Sequence, residues 1–244
     1  MMKYIILFLL SISSVMAQTP KAETILAKVD DNMFSQTKVS ESTMIIYGKR
    51  RDRTMTSKSY SKGIDETYTE YLSPAREKGT KMLKLDDKLW IYTPSSDRTI
   101  QISGHMLRQS MMGSDVSYED MMQEKELIEL YNASVIASEE INGRTAWVLE
   151  LIAKTEDVTY QKMKIWVDQE YYVPLKEDLF AKSGQLLKTI SFGDVQKING
   201  KYVPMKMNYK DVLKAGKGTD FIINKMEIDS NIPEHIFNKG NLKK

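Results

Sequence analysis

The chain has no cysteine, and only two histidines in 244 residues. Without cysteine there is no thiolate nucleophile, no disulfide, and no thiol through which a lipid could be attached near the N-terminus. His105 and His235 stand far apart, and neither lies near a G-x-S-x-G motif or a metal-ligand spacing. Excess charge is missing too. The net charge is +2, one less without Lys3, which gives no support for a nucleic-acid partner. There is also a single long apolar run, Tyr4 to Ala17, with fourteen residues where a membrane span needs about 20.

That run follows Met1-Met2-Lys3 and ends in Ser-Val-Met-Ala before Gln18. A basic start, a short apolar stretch and small residues before the cut make a cleaved secretory signal over residues 1–17. The mature chain, 18–244, is expected to be an exported soluble protein. A domain of this size buries enough core to need no disulfides. The absence of cysteine therefore fits a bacterial periplasm.

Thr19-Pro20 matches a helix cap followed by proline at the first helical position. Ala22, Ile25, Leu26, Val29 and Met33 then recur at three- and four-residue steps, predicting an amphipathic helix of about four turns. From Val39 to Ile102 the period changes to two. Runs around 42–49, 54–61, 66–72, 80–85, 88–92 and 99–102 are separated by turn residues such as Gly63, Ser73-Pro74 and Asp86-Asp87. Alternation resumes near 131–139 and 144–152, flanking Asn142-Gly143, a strong hairpin signal. It continues near 160–168, 174–180, 185–193, 201–211 and 219–228. Tight turns and the absence of helical crossovers describe an antiparallel meander in one domain. Tyr172-Val173-Pro174-Leu175-Lys176 recurs as Tyr202-Val203-Pro204-Met205-Lys206, and both copies are read as strand entries of related hairpins.

The expected fold is mainly β: about eleven antiparallel strands, an N-terminal helix, and a central helical excursion. So long a sheet must curl, leaving a concave face that needs a cover. The excursion, residues 104–130, carries methionines at 106, 111, 112, 121 and 122. Methionine is unbranched and polarizable, so such a cluster is either core filling or an adaptable surface for variable apolar ligands. Asp115, Glu119 and Asp120 could act as acids or bases, but Ser117-Tyr118-Glu119-Asp120 fits a capping box better. Gly216-Lys217-Gly218 lacks the phosphate-loop spacing and is a turn. Lys49-Arg50-Arg51-Asp52-Arg53 is read as a solvated hairpin turn. No catalytic residue, metal site or cofactor is expected.

Trp90-x-Tyr92-x-Pro94 with Arg98, and then Met112-Gly113-Ser114-Asp115-Val116-Ser117-Tyr118-Glu119-Asp120, resemble the outer-membrane lipoprotein-sorting protein family. That family is related in fold to the periplasmic lipoprotein carrier LolA. The likeness extends over nearly all of the mature chain, including Asn142-Gly143-Arg144 and Val167-Asp168. It departs at Val116, where an aromatic is expected. The resemblance implies an unclosed antiparallel β-barrel with helices as a lid, and a cavity that shelters the acyl chains of a lipoprotein or lipid. The cavity and lid candidates are Trp90, Tyr92, Met106, Leu107, Met111, Met112, Met121 and Met122. It implies an inner-membrane donor and an outer-membrane acceptor protein as partners. LolA tethers its lid with an arginine; no motif here matches that residue, and Arg98 and Arg108 are the candidates. The alternatives are an envelope-stress or assembly factor that binds a protein partner, and a lipid hydrolase that would need a histidine on the concave face.

Overall fold

The computed structural model describes residues 19–122 and 125–243, so the expected signal peptide, residues 1–17, lies outside it. Helix α1 spans Ala22–Met33 and a single helical turn, α2, spans Leu127–Leu130. The first six strands are β1 Thr37–Ile46, β2 Arg53–Lys62, β3 Glu66–Ser73, β4 Lys81–Leu85, β5 Lys88–Thr93 and β6 Arg98–Ile102. The rest are β7 Tyr131–Ile141, β8 Arg144–Ala153, β9 Lys162–Asp168, β10 Pro174–Phe180, β11 Leu186–Ile198, β12 Lys201–Asp211 and β13 Thr219–Ile228. Thirteen strands thus stand where about eleven were expected, each at one of the alternating runs. No helix among the described residues is long and apolar enough to cross a membrane.

All thirteen join one antiparallel sheet in the order β6-β5-β4-β3-β2-β1-β13-β12-β11-β10-β9-β8-β7. Two meanders meet where β1 pairs with β13, and β6 and β7 become the two edges. Twelve steps of about 4.8 Å would separate those edges by roughly 58 Å in a flat sheet. The segment between them, residues 103–130, must cross that width, and it does so over one face. Its position as a cover follows from connectivity before any side chain is considered.

That inner face has two covers. Over β7–β12 lies α1, whose Ile25, Leu26 and Val29 are fully buried against Trp147, Leu149, Leu151, Ile165 and Val167. Burial of this kind contributes roughly 1.5–3 kcal/mol per side chain. Over β1–β6 lies the crossing segment, packed on Met44, Ile46, Met55, Tyr71, Met82, Leu89 and Ile91. Tyr209 touches both clusters and marks the seam between them. The outer face carries Tyr68, Leu83 and Trp90 under the C-terminal turns, and Ala146, Val148, Trp166 and Leu175 elsewhere.

Several local expectations shift. The helix begins at Ala22, capped by Lys21 without a side-chain bond, so Thr19 is not the cap and Pro20 is not the first helical residue. Packing of Ala22, Ile25 and Leu26 fixes the start where propensity favoured an earlier one. Strand β1 begins at Thr37 because it pairs with β13 from Lys38↔Ile228 onward. Its inward positions Lys38, Ser40 and Ser42 are polar and gave no alternation to read. Asn142 and Gly143 both take positive φ, 52° and 76°, as a two-residue hairpin turn of the I′ type requires. The repeated Tyr-Val-Pro has a shared anchor in Asn32, at the end of α1. Its amide donates to the Tyr171 and Tyr172 carbonyls at 2.8 and 3.1 Å and accepts from the Tyr202 N–H at 3.1 Å. Pro174 opens β10; Pro204 lies inside β12, in a stretch that pairs with β11 but not with β13.

Candidate functional site

The crossing segment is not a regular helix. It is built from short 3-10 turns at Gly104–Arg108, Met111–Gly113 and Glu119–Met121, followed by α2. An isolated bridge, Ser110↔Ser117, closes a small loop between them. Within it the Met111 N–H donates to the Val116 carbonyl at 2.8 Å, and the Tyr118 N–H to that of Gln109 at 3.1 Å.

Most residues of Met112–Asp120 have an identifiable physical task. Met112 and Gly113 turn the tip with positive φ, 52° and 75°. A Cβ on Gly113 would sit 2.8 Å from Arg53 Nη2, the atom that donates to the Met112 carbonyl at 2.8 Å. Ser114 is fully buried, its hydroxyl donating to the Val116 carbonyl and accepting the Val116 N–H. Val116 is itself buried in the cluster with Met111 and the strand methionines Met44, Met55 and Met82. Asp115 accepts from the Thr219 hydroxyl at 2.9 Å and the Asp211 N–H at 3.1 Å, joining the loop to β12 and β13. Ser117 and Asp120 form the reciprocal capping box: the Ser117 N–H donates to Asp120 at 2.6 Å and the Asp120 N–H to Ser117 Oγ at 3.3 Å. Of the acids read from sequence as helix-start chemistry, Asp120 is used in that way, whereas Asp115 ties the loop to the sheet.

Asp120 does more than cap. Lys188, on the inner face of β11, donates to its carboxylate, and so does the Tyr160 hydroxyl. Both members of the Lys188–Asp120 pair are almost wholly buried, with side chains 11% and 10% exposed. Burial, and then the Asp120 charge, push the Tyr160 hydroxyl above its ordinary pKa. Lys214 adds bonds to Ser110 Oγ at 2.6 Å and the Ser114 carbonyl at 2.8 Å. At the far end Asp30 of α1 accepts the Leu127 and Ile128 N–H groups at 3.1 and 2.9 Å, capping α2. Burial raises the Asp30 pKa, these two bonds oppose it, and the charges of Glu126 and Glu129 add to the rise. The segment is therefore roped to the sheet by side chains, and among the described residues no sheet strand pairs with it.

Met106, Leu107, Met111, Met112, Met121 and Met122 all pack on the inner apolar floor of β1–β6. Trp90 and Tyr92 do not join them. They alternate with Leu89 and Ile91 on β5, so they face outward and meet Ile232, Phe237 and Leu242 of the C-terminal turns. Period two in a strand shows which residues share a face but not which face is inner, and that is why sequence placed them wrongly. Arg98 and Arg108 are exposed, whereas Arg53 and Lys188 hold the lid. Neither was a candidate from sequence; Lys188, an interior lysine in an inward register, was the available signal. His105 and His235 are both exposed, and neither lies on the inner face.

The cavity under the lid is small. It measures about 130 Å³ and is lined by Thr67, Thr69, Met82, Lys84, Leu89 and Met121. Ligand pockets typically run ~300–1,000 Å³. A larger, open groove of about 840 Å³ lies between the start of α1 and the edge strand β7, over Trp147.

A family model described only as an uncharacterized protein matches residues 63–244. Two solved structures share the whole fold at useful identity. One is described as an outer membrane lipoprotein-sorting protein domain from Vibrio parahaemolyticus, 25% identical, TM-score 0.79, covering 91% of this chain and 98% of that one. The other is a LolA superfamily protein from Nitrosomonas europaea, 27% identical, TM-score 0.74, covering 91% and 100%. The chain belongs to the family that this family model describes, and its structural neighbours are LolA-superfamily and lipoprotein-sorting proteins. A DUF1329 family protein from Desulfovibrio piger, 24% identical with TM-score 0.81 over 90% and 97% of the two chains, has the same fold. An uncharacterized protein of Methanocaldococcus jannaschii is 36% identical over 81 residues. That match spans 33% of this chain and 23% of that protein. The sheet is left open, with β6 and β7 as its two edges, and the crossing segment and α1 cover its inner face.

Proposed function

We propose that this LolA-like protein is a periplasmic carrier that shelters acyl chains of a lipid or lipoprotein between its sheet and the methionine segment, without a catalytic step. One observation carries the reading: half of the inner face is roofed by turns and methionines that side-chain bonds hold in place. Such a roof can detach without breaking a β-ladder. The closed cavity is too small for a long chain, so cargo enters by displacing the roof. A chain of fifteen methylenes gains about 12 kcal/mol on leaving water, at ~0.8 kcal/mol each, enough to offset an opening cost of several kcal/mol. Methionine side chains then repack around chains of different length. Delivery would need a donor at the inner membrane and an acceptor at the outer membrane.

The test is organic extraction of protein purified from the envelope, followed by lipid mass spectrometry and acyl-probe binding. Stoichiometric acylated cargo is expected. Protein that is always empty and also rejects acyl probes would contradict the proposal.

The groove at β7 favours a second reading, a protein-binding assembly factor. Strand β7 is an edge, bulged at Ile136, a residue 49% exposed. An extended segment of a partner could add to that edge. On this reading Ile136→Lys abolishes partner capture and leaves lipid content unchanged.

A further inference from the structure

The small net charge conceals an uneven distribution along the strand axis. Register puts the β1–β2, β3–β4 and β12–β13 turns at one end of the sheet. Their strands are contiguous, so the three tips stand side by side across about 24 Å, at ~4.8 Å per strand spacing. The connecting residues 47–52, 74–80 and 212–218 hold seven lysines and arginines against two acids. Of those acids, Asp52 accepts the Gly48 N–H at 3.2 Å and Glu77 pairs with Arg76 at 3.7 Å. Lys49, Arg50, Arg51, Lys78 and Lys217 are all exposed. The turns at the opposite end of the same strands, 63–65, 86–87 and 199–200, hold Asp65, Asp86 and Asp87 and no lysine or arginine. The run Lys49-Arg50-Arg51-Asp52-Arg53, a solvated turn when read alone, is therefore the middle of a basic end.

That end also carries exposed apolar residues. Leu213 is 67% exposed at the β12–β13 tip, and Leu72 is 41% exposed at the end of β3, with the β1–β2 tip between them. They stand on separate tips and not in one contiguous patch, which suits a fluid surface better than a folded partner. Apolar tips flanked by lysine and arginine match the interface of an anionic bilayer, where cations meet phosphates and leucine reaches the acyl boundary.

We infer that this end of the sheet docks on an anionic phospholipid surface, with Leu213 entering the acyl boundary. Docking of this kind needs no cargo, so it stands apart from the carrier proposal. Two basic residues at this end also tie the roof: Arg53 donates to the Met112 carbonyl, and Lys214 to Ser110 Oγ and the Ser114 carbonyl. Lipid phosphates attract the same two cations, so docking loosens these bonds and brings the tip of the roof to the bilayer.

The test is sedimentation of the full mature chain with vesicles of phosphatidylcholine, alone or mixed equally with phosphatidylglycerol. Binding is expected only to the anionic vesicles and should fall steeply as salt rises. Each basic side chain near such a surface strengthens binding about fivefold. Reversal of Lys49, Arg50 and Arg51 to glutamate should therefore weaken it by at least about a hundredfold. The same reversal of the exposed Lys62, Lys88 and Lys197, near the opposite end, should weaken it far less. Because the chain has no cysteine, an environment-sensitive dye on Leu213→Cys reports from that tip alone. Its emission should shift to the blue on anionic vesicles, while the same dye on Asp86→Cys should not respond. Absence of binding at low salt would overturn the inference and leave the basic end to a soluble acidic partner. Equal binding to both vesicles, equal loss from the two reversals, or a Leu213→Cys dye that stays in water would overturn it as well. None of these outcomes bears on the carrier proposal, which lipid extraction tests separately.

Discussion

Lys188→Met tests whether the roof is held by its side-chain ropes. Lys188 and Asp120 are nearly buried, and Asp120 also accepts from Tyr160 and from the Ser117 N–H. Removing one partner of a buried ion pair costs about 3–5 kcal/mol, because the remaining charge is stranded. Here two other donors stay on Asp120, which reduces the cost to about 2–3 kcal/mol. The loss acts on the closed state only, since Asp120 regains water when the roof lifts. At 1.4 kcal/mol per factor of ten, the opening equilibrium should rise by roughly 30- to 150-fold. Hydrogen exchange read by mass spectrometry gives this directly for the amides of Met111, Ser114 and Tyr118, each bonded within the loop. Their protection should fall by that factor while β8 and β9 keep theirs. Unchanged protection in residues 109–122 would refute the tether. Equal loss in β8 and β9 would show that Lys188 stabilises the whole domain and not the roof.

Gly113→Ala places a Cβ at positive φ and against the Arg53 guanidinium, so it should loosen the same loop by about 1–2 kcal/mol; the same exchange experiment reads it. Glu177 points inward on β10 between Ile165 and Ile190, and burial raises its pKa from 4.5 to about 7. Between those pH values the unfolded chain releases this proton and the folded chain keeps it, so stability falls as pH rises through the interval and levels off above about 7. The span corresponds to at most about 3 kcal/mol. Glu177→Gln should flatten the profile of unfolding midpoint against pH between 5 and 8; an unchanged slope would assign it to other groups. Trp90 Nε1 is buried with no hydrogen-bond partner among the described residues. Trp90→Phe should therefore cost less than Trp90→Ala, which should destabilise by about 3–5 kcal/mol, and neither should alter acyl binding.

Strands were legible because alternation and turn chemistry act locally. Asn142-Gly143 and the run from Lys201 to Asp211 needed no distant partner to be recognised. The pairing of β1 with β13 was not legible, since Lys38, Ser40 and Ser42 turn polar groups inward and their register is set by a strand some 180 residues away. Which face of β5 the crossing segment covers is likewise a tertiary matter, and it decided the fate of Trp90 and Tyr92. The capping box of Ser117 and Asp120 was read correctly as a local motif. Its long-range bond to Lys188 depends on tertiary placement. The methionines gathered as expected: Met111 is buried, 3% exposed, in the core beneath the segment, and Met106, Met112, Met121 and Met122 pack against it half-buried. Core and cover describe the same residues.

The most direct measurement is photo-crosslinking with a long-chain fatty acid carrying a diazirine near its terminal carbon, followed by peptide mapping. The carrier account predicts adducts on the roof, residues 104–122, and on the inner floor around Met44, Met55 and Met82, all competed by unlabelled lipid. Adducts confined to the outer face around Trp90 or Leu175, or none above background, would contradict it.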